Sequence, residues 1–161
     1  MTDTCAGCHL AVEGGTEACQ ALFDRMTLRV MSDARYARVH RLAVDAYTLQ
    51  HPDRYCRSAK SLAAHLTGMC CGLEHGGSEA TYAALQQWLN GRSPVEKSRI
   101  PAFRGATTLA DALAAEDPVA HARAVEEWAR STWEAYAPLH ALARRWIAEA
   151  LGQAPRRSAA R

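Results

Sequence analysis

The 161-residue chain predicts an all-α fold on three observations. Apolar residues recur at helical spacing over nearly the whole length. No run of more than four residues alternates in the manner of a half-buried strand rich in β-branched residues. Ser, Asp, Gly and Pro stand where helices need caps and stops. The expectation is a single helical bundle of about five to six helices with a short Cys-rich N-terminal head.

The first helix is expected over residues 17–31, with Ala18, Leu22, Met26 and Val30 on one side. Ser32 and Asp33 offer N-cap chemistry for a second helix over residues 33–50, and Pro52 ends it because the residue before a proline is pushed out of the helical region. Val39, Leu42, Ala43, Val44, Ala46, Tyr47 and Leu49 make this helix apolar over most of its circumference, so it should be central and buried. A third helix, residues 58–74, carries Leu62, Leu66, Met69 and Leu73 in one narrow stripe and closes at Gly76-Gly77. Ser78 caps a fourth over residues 79–90. Residues 91–107 lack periodicity and form the longest loop, a candidate lid or partner surface. Thr108 and Asp111 read as a capping box for a short fifth helix. Asp117-Pro118 opens a long helix to residue 151 that Pro138 should kink or split. The single domain then covers residues 1–153, its Cys-rich head being residues 1–19, and residues 154–161 form a polar, basic tail.

At 48% apolar and 22% charged, the chain can bury a core without help. A net charge of +2 and a pI near 8.3 do not indicate nucleic acid, because phosphate binding normally shows as a strongly basic domain. No stretch approaches the 18 apolar residues of a membrane span, and residues 1–20 show no basic n-region followed by an apolar h-region, which predicts a cytoplasmic location. In a reducing compartment the six cysteines are not a disulfide framework; they are thiols, metal ligands or reactive groups. The partner, small molecule or protein, and the oligomeric state are not written in the composition.

Cys5-Ala6-Gly7-Cys8 is a knuckle in which two thiolates can turn back onto one tetrahedral ion, with Cys19 eleven residues further on. Three thiolates need a fourth ligand from the fold, and thiolate with imidazole selects Zn2+ over magnesium or calcium. If the first two helices form an antiparallel hairpin, Cys19 comes level with Tyr47 and close to His51, which makes His51 the leading fourth ligand. The string Cys5-Ala6-Gly7-Cys8-His9 also fits covalent c-type haem attachment, but that chemistry belongs outside the cytoplasm and the chain shows no export segment, so haem is disfavoured. A redox C-x-x-C wants a βαβ context that is missing.

His40, Tyr47 and His51 share one stripe of the second helix. His40 and His51 are about 16 Å apart along its axis at 1.5 Å per residue, too far to share an ion. Folding the third helix back puts His65 level with Asp45, and His140 on the last helix could join them. A pocket of His40, Asp45, Tyr47, His65 and His140 would be a candidate catalytic site, with a His as general base or metal ligand, Asp45 orienting it and Tyr47 donating to an oxyanion. Asp45 lies about 140° around the helix from His40 and so is left to hold Arg41, a neighbouring helix cap or His65. The plainer account of each such His is a hydrogen-bonded core residue.

The run His40-Arg41-Leu42-Ala43-Val44-Asp45-Ala46-Tyr47-Thr48-Leu49-Gln50-His51-Pro52 resembles the signature of an uncharacterised family of small bacterial proteins, a domain of unknown function. The resemblance extends to Cys5, Gly7, Cys8 and Cys19, to Ala64-His65-Leu66 and Cys70 with Leu73-Glu74, to Thr108-Leu109-Ala110-Asp111, and to Trp128, Trp133 and His140. It implies that Cys5, Cys8, Cys19, His40, Asp45, His51 and His65 are characteristic polar positions, and it implies no reaction. Two departures stand out: His9 occupies a place where the family more often has Gly, and the segment between Cys8 and Cys19 is shorter here.

Three functions compete. Zinc could clip the head to the bundle; an enzyme, metal-dependent or not, could use the His/Asp pocket; or a regulatory or protein-interaction module could present an apolar patch around Trp88 and Leu89.

Overall fold

The computed structural model describes residues 3–152, so the tail expected at 154–161 lies outside the described residues. Eight α-helices run in the order α1 Gly15–Ser32, α2 His40–Gln50, α3 Pro52–Tyr55, α4 Ala59–Glu74, α5 Glu79–Asn90, α6 Leu109–Ala114, α7 Pro118–Ala135 and α8 His140–Ala150. The expected second helix begins instead with a 3-10 segment, Ala34–Val39, because Asp33 turns its carboxylate onto the Arg35 N–H and winds the chain tightly at its start. The long C-terminal helix is split, not merely bent. A 3-10 turn, Ala137–Leu139, separates α7 from α8 where Pro138 has no N–H to give to the preceding turn.

The caps form as their residue types require. The hydroxyl of Ser58 accepts from the Ser61 N–H, that of Ser78 from the Thr81 N–H, and the carboxylate of Asp117 from the N–H groups of Val119 and Ala120. Asp111 accepts the Thr108 N–H at 2.7 Å. Gly76 and Gly77 both take left-handed φ, which lets the Gly77 N–H reach back to the Cys71 carbonyl and stop α4.

Helix α2 is the axle of the bundle: α4 packs along one side of it and α7 along the other. Helices α5 and α8 cover α4, and α6 leans on α7. Trp128, Tyr136 and Trp146 of the C-terminal helices are buried beside Leu49, Leu62, Leu66 and Met69, each such side chain contributing roughly 1.5–3 kcal/mol of apolar burial. Trp88 and Leu89 are half-buried and packed on the core, with Trp88 6.1 Å from Trp146 between ring centroids. They therefore do not form the exposed patch that an interaction module would need there.

The head has no helix of its own before α1. A single bridge pairs Thr4 with Ala11, and the Cys5 N–H reaches the Leu10 carbonyl while the His9 N–H reaches the Cys5 carbonyl. This tight loop aims the side chains of Cys5 and Cys8 inward, onto the junction of α1, α2 and α3.

Candidate metal centre

The structure brings four sequence-predicted residues to one point. The ligand atoms of Cys5, Cys8, Cys19 and His51 all lie within 4.8 Å of one another, and all four residues are buried. The Cys8 and Cys19 sulfurs are 3.7 Å apart; His51 Nε2 stands 3.6 Å from the Cys19 sulfur and 3.3 Å from that of Cys5. A tetrahedral ion with bonds of about 2.3 Å to sulfur and about 2.05 Å to nitrogen needs sulfurs about 3.8 Å apart and sulfur to nitrogen about 3.6 Å. These three spacings, within four donors that all lie inside 4.8 Å, are compatible with a metal ion.

Each ligand is aimed by its own element. Cys5 and Cys8 come from the knuckle and Cys19 from the first turns of α1, while His51 sits where α2 ends and Pro52 starts α3. His51 Nδ1 is 2.6 Å from the Tyr47 carbonyl oxygen. A carbonyl can only accept, so Nδ1 carries a proton and Nε2 is the nitrogen turned to the sulfurs, free to ligate once a metal takes the place of any proton on it. The ring is further fixed by stacking on Tyr47, at 4.1 Å between centroids, with Phe23 stacked on the other face of that tyrosine at 4.0 Å. Gly7 is required by space: a Cβ there would come 2.2 Å from His51 Cδ2 and 2.9 Å from the Gln50 carbonyl oxygen.

The electrostatics favour negative sulfur. For Cys8 the Cys19 thiol donates to its sulfur and, against the cost of burial, brings it down to about 4, helped by His51 and the Leu10 N–H. Burial pushes Cys5 up, but the N–H groups of Cys8 and Gly7 together with His51 leave it below the usual thiol range. Cys19 is raised because it donates its proton to Cys8 and is itself buried. Burial alone would lower His51, yet the contacts with Cys8 and the Tyr47 carbonyl raise it. A divalent cation would displace the remaining thiol proton and take the negative charge over.

Residues that sequence reasoning did not single out complete the surround. Gln50 is wholly buried; its Nε2 donates to the carbonyls of Arg104 and Thr107, and its Oε1 accepts from the Trp128 indole at 2.9 Å. Arg104 in turn donates to the Gly7 carbonyl at 2.9 Å. The end of the 91–107 loop is thus tied to the knuckle. Gln20 Oε1 accepts from the hydroxyls of Tyr47 and Tyr55. Gln50 stands in the family-like run quoted above, but nothing in its spacing distinguishes a buried amide hub from a helix-end glutamine.

The pocket predicted from five residues does not assemble. Tyr47 belongs to the surround of the cysteine centre, where it is stacked and buried, and cannot serve an oxyanion beside His65. His140 donates Nε2–H to the Trp133 carbonyl at 2.7 Å and stacks on Trp133 at 3.9 Å, because the 3-10 turn at Pro138 reverses it onto its own chain. His40 lines a groove of about 910 Å³ between α2, α4 and α7 that meets the surroundings of His65 only at Arg41, Val44 and Tyr82, and its Nδ1 is buried with no partner among the described residues. What remains is a pair: His65 Nδ1 lies 2.9 Å from Asp45 Oδ1. Asp45 therefore takes the third of the partners open to it. His9 is exposed with a left-handed φ and is not in the cluster.

No helix of the described residues is long and apolar enough to cross a membrane. No curated protein and no solved structure matches the chain. A family model does match, over residues 3–137, a span that includes the knuckle, Cys19, the His40 to Pro52 run, His65 and Trp133. The chain belongs to the family of unknown function DUF5946.

Proposed function

We propose that this is a zinc protein in which one Zn2+, held by Cys5, Cys8, Cys19 and His51, clips the N-terminal head onto the helical bundle. The observation that carries this reading is the match between the spacings of the four donors and those of a closed tetrahedral site. Four protein donors leave no position for water or substrate, which favours a structural role over a catalytic one. Three soft thiolates and one imidazole select zinc among the common divalent ions. Bound metal would crosslink residues separated by up to 46 positions and turn its binding free energy into folding free energy. Six free thiols suit a reducing compartment, in keeping with a cytoplasmic location.

The test is metal content per chain by elemental mass spectrometry on untagged protein, for wild type, Cys8→Ser and His65→Ala. One zinc in wild type and in His65→Ala, absent from Cys8→Ser, is the expected result. Wild-type protein purified without chelator and free of metal would sink the reading.

A further inference from the structure

A second site lies between α2, α4 and α5. Arg41 and Asp45, one turn apart on α2, His65 and Gly68 on α4, and Tyr82 and Leu85 on α5 line a cavity of about 260 Å³. We propose that this cavity is a general-base site for a small organic anion: Arg41 holds the anionic group, His65 Nε2 accepts a proton from the bound molecule, and Asp45 is the positioning residue for His65.

The geometry of the pair comes first. The Asp45 carboxylate accepts from His65 Nδ1–H, which leaves Nε2 as the nitrogen available to a bound molecule. The Asp45 side chain is 7% exposed and that of His65 26%, so the carboxylate is withdrawn behind an imidazole that still reaches the cavity. Asp45 Oδ2 has no partner among the described residues and is cut off from water. A buried carboxylate with an orphaned oxygen is a costly arrangement for mere packing. It is accommodated by Gly68, where a Cβ would stand 2.5 Å from Oδ2; any side chain there would drive the carboxylate off His65.

The cavity supplies the rest. The Arg41 guanidinium lies over the Tyr82 ring at 3.9 Å, a stacking contact that fixes it, and it makes no ion pair among the described residues. Burial lifts Asp45 to about 6, against the hydrogen bond from His65, which still leaves it ionised at neutral pH. The volume is below that of drug-sized pockets, and its walls mix Val44, Ala64, Leu85 and Leu89 with polar groups, which suits an anion of a few carbons. In the proton transfer the X–H bond of the bound molecule breaks, its electron pair stays on X, and a new N–H forms at His65 Nε2. The imidazolium so formed is stabilised by Asp45, and the cavity gains a positive charge beside Arg41 that holds the anion more firmly.

The experiment uses the full chain with its metal and two probes, sodium butyrate as anion and diethyl pyrocarbonate as acylating reagent for bare imidazole nitrogen, read at each His by peptide mass spectrometry. Butyrate should slow acylation of His65 and not that of exposed His75, and Arg41→Gln should abolish the protection. Asp45→Asn keeps an oxygen that can accept Nδ1–H but removes its charge, and should lower the His65 acylation rate by at least about tenfold, the loss of one charge-assisted hydrogen bond. Saturating butyrate without effect on wild-type His65 would overturn the proposal, and that measurement needs no variant to fold. An unchanged His65 rate in folded Asp45→Asn would equally overturn the role of the carboxylate.

Discussion

His51 and His65 stand one helix apart and are held in the same way, each giving Nδ1–H to a fixed oxygen and offering Nε2 to its surroundings. They differ in the oxygen. His51 donates to the neutral carbonyl of Tyr47 and faces three sulfurs in a closed site; His65 donates to the buried carboxylate of Asp45 and faces a cavity. A carbonyl fixes the ring and favours a positive charge on it less than a full carboxylate does, which suits a metal ligand. A carboxylate stabilises the imidazolium, which suits a proton acceptor. The atom behind the histidine, more than the histidine itself, separates a ligand from a base.

The largest test of this contrast removes a ligand. Cys8→Ser should release the metal and cost about 5 kcal/mol of stability in denaturant unfolding, since loss of a structural metal is among the few changes of that size. His65→Gln should leave the metal in place; if it releases metal, the two sites are not separate. Next is the amide behind the centre. Gln50→Ala strands the Trp128 indole N–H and the carbonyls of Arg104 and Thr107 in the interior and should cost about 3 kcal/mol by the same measurement. Gly7→Ala should cost about 1–3 kcal/mol through overpacking against His51, and weaken metal affinity roughly 10–100-fold in a competition titration with a chelator. Metal affinity equal to wild type in Gly7→Ala would show that the knuckle can shift without disturbing the ring.

These effects also mark what could be read before any coordinates. The cysteine centre was legible because its logic is local: a two-residue knuckle, a third Cys at the start of a helix, and a His at a helix end that a hairpin turn brings level with it. Helix limits were legible to within a residue or two where a cap or a Pro acts, as at Ser58, Ser78 and Asp117. What escaped depends on side chains crossing between elements distant in sequence. The Gln50 amide meets carbonyls 54 and 57 residues away, and no periodicity encodes that. His140 shows the same limit: the sequence puts a break at Pro138 and His140 on the apolar face of the last helix, but does not show that the ring bonds to the Trp133 carbonyl instead of joining His65. Asp45 lay between, since its angle on α2 excluded His40 yet left three partners open.

The last test concerns the carboxylate itself, and only here is a substitution expected to stabilise. Burial raises Asp45 to about 6, above its unfolded value near 3.9, so between about pH 4 and pH 6 the native state binds more protons than the unfolded chain. Stability from this group is therefore fully present at low pH and is lost as pH rises through 6, by about 3 kcal/mol at most. That figure already contains the bond from His65, so Asp45→Asn, which removes the loss, should be no less stable than wild type at pH 7 and more stable by about 3 kcal/mol at most. The sign of the pH dependence is the sharper reading. Protonation of the metal ligands destabilises both proteins alike as pH falls and cancels in their difference. Wild type minus Asp45→Asn should then decline from pH 4 to pH 6 and level off above. A flat difference over that range would mean that Asp45 titrates as an ordinary surface carboxylate and that its hold on His65 is nothing more than packing.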